Sequence, residues 1–423
     1  MAQTSVDTQW EQPGISKKLK QLTTVVSPLN PVQKGYLFAG LIGAILLLMA
    51  ITAVAGLTQA FLYIIGIGFG LALLHAKFGF TSAFRRLLAV GNVQGLQAHM
   101  VMLAVATTLF GIIFATNFSF NGVALSGNVA PIGISLVVGS FLFGVGMQMG
   151  SGCASGTLYS VGGGKSSMVL TLLGFIAGSV IGAYHFIFWT EQTPSLPAVS
   201  LADTTGLGYG GGWVVQMLIF LGIYGLTVKY AQKKNPPSMK PLPTTNGWKK
   251  LWRGAWPLMT AGIVLALLNG LTLMVKGSPW GITSAFALWG SKFVSLFGVD
   301  VASWGYWQGN TEALQTTVLA DATSVMNFGI LFGAFIAAAA QGNFKPGKIK
   351  PGIAASSIIG GLMMGYGARL AFGCNIGAYF SGIASFSLHG WVWMIMALAG
   401  SYLALFIRPI FGLKNPNPKD SMC

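Results

Sequence analysis

Charge is what this sequence has least of. Only 8% of its 423 residues are charged and eight are acidic, whereas a soluble domain carries about one quarter charged residues. An ordinary water-soluble globule is thereby excluded. Cysteine and histidine are scarce too, at three and four residues, so neither a disulfide framework nor a zinc spacing is present. The Gly-rich stretch around Cys153 lacks the Gly-Lys-Ser/Thr ending of a phosphate loop. No catalytic triad is laid out, and no metal or cofactor is expected. The stretch from Met1 to Pro31 is polar and basic, without the apolar core and small-residue cleavage site of a signal peptide. The amino terminus is expected to stay in the cytoplasm.

What is abundant is apolar sequence, at 53% of residues, together with 59 glycines. Runs long enough to cross a hydrocarbon core of about 30 Å recur along the whole chain. We read ten of them, at 36–56, 59–76, 96–116, 130–150, 167–190, 211–231, 255–275, 322–340, 352–372 and 388–409. This pattern predicts an all-α polytopic membrane protein embedded in a lipid bilayer. With ten spans, 21 of the 24 Lys and Arg fall on one side, among them Lys77, Arg85, Arg86, Lys165 and Arg253. That bias predicts that both termini are cytoplasmic. It also accounts for the net charge of +16 without nucleic acid. The other side holds Lys276, Lys292 and Arg369 against Glu191, Asp203, Asp300, Glu312 and Asp321, so it has no excess of positive charge to steer anions from afar.

The chain repeats itself. Gly144-Val145-Gly146 leads to Gly152-Cys153-Ala154-Ser155-Gly156. In the second half, at the same internal spacing, Gly365-Tyr366-Gly367 leads to Gly373-Cys374-Asn375-Ile376-Gly377. Gly79-Phe80-Thr81-Ser82-Ala83-Phe84 likewise returns as Gly281-Ile282-Thr283-Ser284-Ala285-Phe286. Five spans separate the corresponding landmarks, and an odd number reverses direction, so the halves are predicted to be inverted repeats. The domain plan is a basic tail (1–35), a first membrane repeat (36–231), a basic Pro-rich linker (232–254), a second, inverted repeat (255–411) and a carboxyl-terminal tail (412–423). Stretches 80–93, 154–163, 282–297 and 375–386 are too short to span. They are predicted to be re-entrant half-helices, because broken backbone at membrane depth is tolerated only inside protein or beside water. Two funnels would then meet near the midplane, with Cys153 reached from the cytoplasm and Cys374 from outside.

A half-helix that begins just after a cysteine aims its free N–H groups and positive dipole end at the sulfur. Such a place favours thiolate character and attracts anions. A lone buried cysteine is usually only a small apolar side chain, but here the arrangement occurs twice. Cys153 and Cys374, with neighbours Gly152, Gly373, Ser155 and Asn375, are therefore the candidate pathway residues. Cys423, at the chain end, reads as incidental. Thr81, Ser82, Thr283 and Ser284 sit at half-helix starts, where hydroxyls serve as caps and would also touch a passing solute. Arg369 reads either as a pathway cation or as a snorkelling interfacial residue. Lys165 reads as a topology determinant, His389 as a satisfied structural histidine and Asp321 as interfacial.

On these residues the sequence resembles the YeeE/YedE family of bacterial inner-membrane sulfur-compound transporters, over roughly residues 64–411. The most specific segments are Gly365 through Gly377 and Phe386-Ser387-Leu388-His389-Gly390-Trp391. The resemblance implies uptake of thiosulfate or a related sulfur or selenium species, pathway cysteines whose S–H groups meet the substrate sulfur, and a small cytoplasmic sulfur-carrier partner of the TusA type. One position departs from it: the family has a third pathway cysteine where this chain has Gly79. The leading expectation is therefore a transporter, not an enzyme, that passes a small sulfur anion through a narrow cysteine-containing constriction. The competing expectations are a membrane sulfurtransferase or oxidoreductase carrying a persulfide on its cysteines, for which no flavin, haem or quinone motif speaks, and a passive channel for the same solute.

Overall fold

The structure, a computed structural model, describes residues 29–236 and 247–417. Most of the 1–35 tail, the Pro-rich middle of the 232–254 linker and the end of the 412–423 tail, Cys423 included, lie outside the described residues. The main elements are α1 (Lys34–Ala76), α2 (Phe80–Val90), α3 (Gln94–Thr116), α4 (Ile134–Met149), α5 (Ala154–Gly162), α6 (Ser167–Tyr184) and α7 (Gly208–Lys234). They continue with α8 (Leu258–Lys276), α9 (Thr283–Ser295), α10 (Ala322–Gln341) and α11 (Pro351–Leu370). A π-helix over Asn375–Ser381, closed by an α turn over Gly382–Ala384, forms α12, and α13 is His389–Ile407. The strands are minimal: Ile132–Gly133 pairs antiparallel with Ser195–Leu196.

Eight stretches of the described residues are long and apolar enough to cross a membrane. The first of them crosses twice. Gly56 leaves the helical region at φ 83° and ψ −178°, a conformation that glycine adopts without a Cβ penalty. The chain then doubles back, because the Tyr63 hydroxyl donates to the Ala44 carbonyl at 3.3 Å. A straight helix would hold those residues about 28 Å apart at 1.5 Å per residue. The 20-residue α11 is long enough to cross as well. Its run of Gly, Ser and Ala lowers its hydropathy, and it is packed inside the bundle. These two corrections bring eight stretches to the ten expected crossings. The expected span 167–190 is shorter than read, ending at Tyr184 before a separate turn over Phe186–Glu191.

The repeat is visible as reciprocal packing. The second limb of α1 lies on α10 while its counterpart α8 lies on α3; α4 packs on α13 while α11 packs on α6. The half-helices follow the same rule, α5 touching α10 and α12 touching α3, α2 touching α13 and α9 touching α6. At the centre, α4 and α11 cross antiparallel. A Cβ on Gly146 would lie 2.7 Å from the Gly360 carbonyl, and one on its repeat counterpart Gly367 would lie 2.4 Å from the Gly139 carbonyl. Gly178 faces the Leu362 carbonyl just as Gly400 faces that of Phe141. Residue i meeting j′ while j meets i′ is the signature of a two-fold axis, and the antiparallel crossing places that axis in the membrane plane. Glycine at these positions lets backbones touch, which is how helices associate when lipid removes any hydrophobic gain.

Elements α2, α5 and α9 hold 11, 9 and 13 residues, and α12 combines a π-helix of seven with an α turn of three. Each is about 14–20 Å long, half of what a crossing needs. They are half-helices, as read from the sequence.

Candidate functional site

Both Gly-Cys segments begin with the same tight turn. Ser151 and its repeat counterpart Phe372 adopt positive φ values of 61° and 56°, an uncommon state for side-chain-bearing residues. Each then feeds a glycine against the half-helix it starts. A Cβ on Gly373, whose φ is 146°, would lie 2.8 Å from the Ala378 nitrogen; one on Gly152 would lie 3.4 Å from the equivalent Thr157 nitrogen. Cys153 and Cys374 follow as the residues just outside α5 and α12. Both are free thiols, each only 1% exposed.

The sulfurs are held differently. The Ile376 N–H donates to the Cys374 sulfur at 3.4 Å, and the Gly377 N–H also points at it. The Cys153 sulfur instead meets the Ser155 hydroxyl at 3.4 Å. Half-helices α5 and α12 touch, and the two cysteines lie within electrostatic range of each other. Next to Cys374, the fully buried Asn375 has no hydrogen-bond partner on either amide atom. Leaving such a group unpaired costs about 1–3 kcal/mol per polar atom, so this position calls for a polar guest.

Above Cys374 opens a cavity of about 440 Å³, lined by Asn128, Trp280, Thr283, Arg369, Phe372 and Gly373 among others. Arg369 is only 6% exposed, which rules out snorkelling. Its Nη1 donates to the Tyr306 hydroxyl and its Nη2 to the Thr283 hydroxyl at 2.5 Å. Its Nε has no partner, and its Cζ lies 5.3 Å from the Tyr306 ring centre. Both partners are neutral, and among the described residues no carboxylate pairs with it. A buried cation without a counter-ion is costly, and a cavity beside it suits an anion. Asn128 fastens the cavity wall to the half-helix by donating to the Gly377 carbonyl at 2.6 Å.

The opposite mouth has the same backbone and different chemistry. The repeat counterpart of Arg369 is Gln148, which is fully buried. Its amide nitrogen donates to the Thr81 carbonyl (3.1 Å) and the Ser401 hydroxyl (3.3 Å), and its amide oxygen accepts from Arg85 at 3.3 Å. Arg408 donates to its backbone carbonyl. At this mouth Gly79 stands just outside α2. A Cβ there would meet the Ser82 hydroxyl oxygen at 2.9 Å and the Tyr159 hydroxyl at 3.7 Å. Tyr159 also borders a cavity of about 500 Å³ that includes Lys77, Lys165 and Arg253.

The residues singled out in the sequence thus fall into two groups. Cys374, Gly373, Asn375, Thr283, Ser284 and Arg369 gather around one mouth; Cys153, Gly152, Ser155, Gly79, Thr81 and Ser82 gather around the other. The four hydroxyls are not caps, a correction to the expectation. Gly79 and Ile282 occupy the capping positions, and neither offers a side chain that accepts a hydrogen bond. Ser82 donates back to the Gly79 carbonyl at 2.9 Å, Thr81 is unpartnered, Thr283 receives Arg369, and Ser284 donates to Thr323 at 3.2 Å. His389 is only half satisfied: Nδ1 meets Ser387 at 2.6 Å and Nε2 meets nothing. Asp321 caps α10 through Ser324 (2.7 Å to its N–H).

Sequence reading missed Gln148, Tyr159, Tyr306 and Tyr379. The repeat spacing alone pairs Gln148 with Arg369. The others reach the site through contacts that have no local signature. Tyr379, one turn beyond Asn375, is fully buried with an unpartnered hydroxyl among the rings of Phe80, His99 and Trp393.

A family described as Sulphur transport matches residues 75–403. "Probable transporter YedE" of Salmonella typhimurium is 35% identical over 165 residues, which is 38% of this chain and 40% of that relative. Against the YedE relatives, the match spans about two fifths of their length. "Thiosulfate transporter TsuA" of Spirochaeta thermophila is 28% identical over 81% of this chain and 97% of its own. Its Escherichia coli namesake is 25% identical over 80% of this chain and 92% of its own.

Proposed function

Since the chain belongs to the Sulphur transport family, and is thus a membrane transporter, we propose that it imports a small sulfur oxyanion of the thiosulfate class across the bacterial inner membrane. The observation that carries this reading is Arg369: a buried guanidinium with only neutral partners, on the wall of a cavity that ends at the Cys374 half-helix. The anion enters at this mouth, where its oxygens take the unused N–H of Arg369. It then meets Asn375 and the Cys374 thiol, passes the touching half-helices to Cys153, and leaves past Gly79 and Tyr159. The excess of Lys and Arg in the connections around the exit supports a cytoplasmic location for that side and for both termini. The TsuA relatives, named thiosulfate transporters over nearly the same length, support the substrate class. A TusA-like carrier is the proposed recipient of the sulfur on the cytoplasmic side. Two thiols serve here, with Gly79 standing where the family has a third.

Uptake of radiolabelled thiosulfate into proteoliposomes tests the function. Saturable uptake above empty liposomes, competed by selenium analogues more than by chloride, is expected. Flux no higher than in empty liposomes overturns it. Mass spectrometry during uptake should find both thiols unmodified; a persulfide on Cys153 or Cys374 would instead identify a sulfurtransferase.

A further inference from the structure

The two repeats differ where a strict copy would not. After α2 the chain reaches α3 through residues 91–93, whereas after α9 it reaches α10 through residues 296–321. The long excursion folds as short turns at Val301–Ser303, Gly305–Trp307, Glu312–Gln315 and Val318–Ala320. It is pinned to α9 at its middle and in its later part: Trp307 Nε1 donates to the Ser291 hydroxyl at 3.1 Å, and Lys292 Nζ donates to the carbonyls of Leu314 and Thr316 at 2.6 Å. The residue this framework delivers to the cavity is Tyr306. Its ring stands edge-on to Phe186 (5.2 Å) and Trp307 (5.0 Å), and its hydroxyl accepts from Arg369.

We propose that Tyr306 is a positioning residue that sets the guanidinium plane of Arg369 and thereby selects oxyanions over monatomic anions. The physical argument is one of counting. Arginine carries five N–H groups in a rigid plane; the hydroxyls of Tyr306 and Thr283 take one each, from Nη1 and Nη2. Two anchors on different nitrogens fix the plane, and the remaining N–H groups, with Nε–H unpartnered, form a fork. A fork rewards a ligand with two oxygens at carboxylate-like or sulfonate-like spacing. A chloride or hydrosulfide ion, having one centre, gains no such advantage. The mouth at Gln148 lacks both the excursion and the free fork, so this selection acts only at the Arg369 mouth.

The inference rests on the proposed anion contact of Arg369, and the test separates the two. Tyr306→Phe keeps the ring against Phe186 and removes only the oxygen. In the full-length protein in proteoliposomes, it should raise KM for thiosulfate by about three- to tenfold, the value of one hydrogen bond, with the maximal rate unchanged. Competition by chloride should become stronger relative to thiosulfate. In an Arg369→Gln background the same substitution should leave KM where it was. An unchanged KM for Tyr306→Phe, or an equal rise in both backgrounds, overturns the positioning role alone. An unchanged KM for Arg369→Gln by itself overturns the anion contact and the inference with it. Arg369→Lys takes the place of Arg369→Gln should the latter not elute as a single folded species.

Discussion

The two Gly-Cys mouths of this protein share a backbone and differ in the charge of one matched residue. At Ser151-Gly152-Cys153 and Phe372-Gly373-Cys374 the turn, the glycine contact and the buried thiol are the same. Three residues before each turn they diverge. Arg369 stands buried with two neutral partners, while Gln148 has its amide fully engaged by Thr81, Ser401 and Arg85. Packing explains the likeness. Where α4 and α11 cross, a Cβ on any of four glycines would strike backbone, so both halves are held to glycine there. Side chains at the mouths are under no such constraint. In the proposed function the Arg369 mouth captures the anion, and the mouth where the tied amide of Gln148 replaces that guanidinium releases it.

Substitutions that break this comparison should do so unequally. The largest effect is expected at the shared crossing: a Cβ on Gly360 would sit 2.2 Å from the Gly150 nitrogen, whereas one on Gly210 would meet nothing within 4 Å. Gly360→Val should abolish the monodisperse peak in detergent size-exclusion chromatography, and Gly210→Val should keep it. Next, Arg369→Gln gives the capture mouth the residue of the exit. Losing a charged hydrogen bond to substrate is worth about 1.5–3 kcal/mol, so KM for thiosulfate should rise by about tenfold or more with thermal stability retained. The reciprocal position should respond the other way. Gln148→Leu removes one hydrogen-bond partner each from half-buried Arg85 and from the Thr81 carbonyl; it should lower unfolding stability by about 1–3 kcal/mol and leave KM nearly unchanged. Smallest is Asp321→Ala, which removes the cap of α10. A cap is worth about 1 kcal/mol, visible as a lower melting temperature without a change in uptake.

Much of this comparison is legible in the sequence, because its cause is periodic. The recurrence of Gly-Cys at matched places in the two halves, the parity of the spans between landmarks and the short runs after each glycine follow from membrane thickness and backbone satisfaction, which leave a local mark. Even the hairpin at Gly56 is readable as two spans, from run length alone. The chemistry that distinguishes the mouths leaves no such mark. Tyr306 meets Arg369 across 63 residues of chain, and nothing in the spelling of the 296–321 excursion tells which side chain it delivers. The hydroxyls at half-helix starts mislead because capping is a local rule, and the glycine and isoleucine before them already take the capping position. Thr283 is instead used at long range, by Arg369.

The central claim is that both buried thiols line one path. It is tested most directly by initial thiosulfate flux into proteoliposomes containing Cys153→Ala, Cys374→Ala or both. Each variant is expected to retain its elution profile and to lose about tenfold or more in flux, equivalent to about 1.4 kcal/mol or more at the constriction. The double variant should be no faster than the slower single one. Wild-type flux in the double variant would contradict the account.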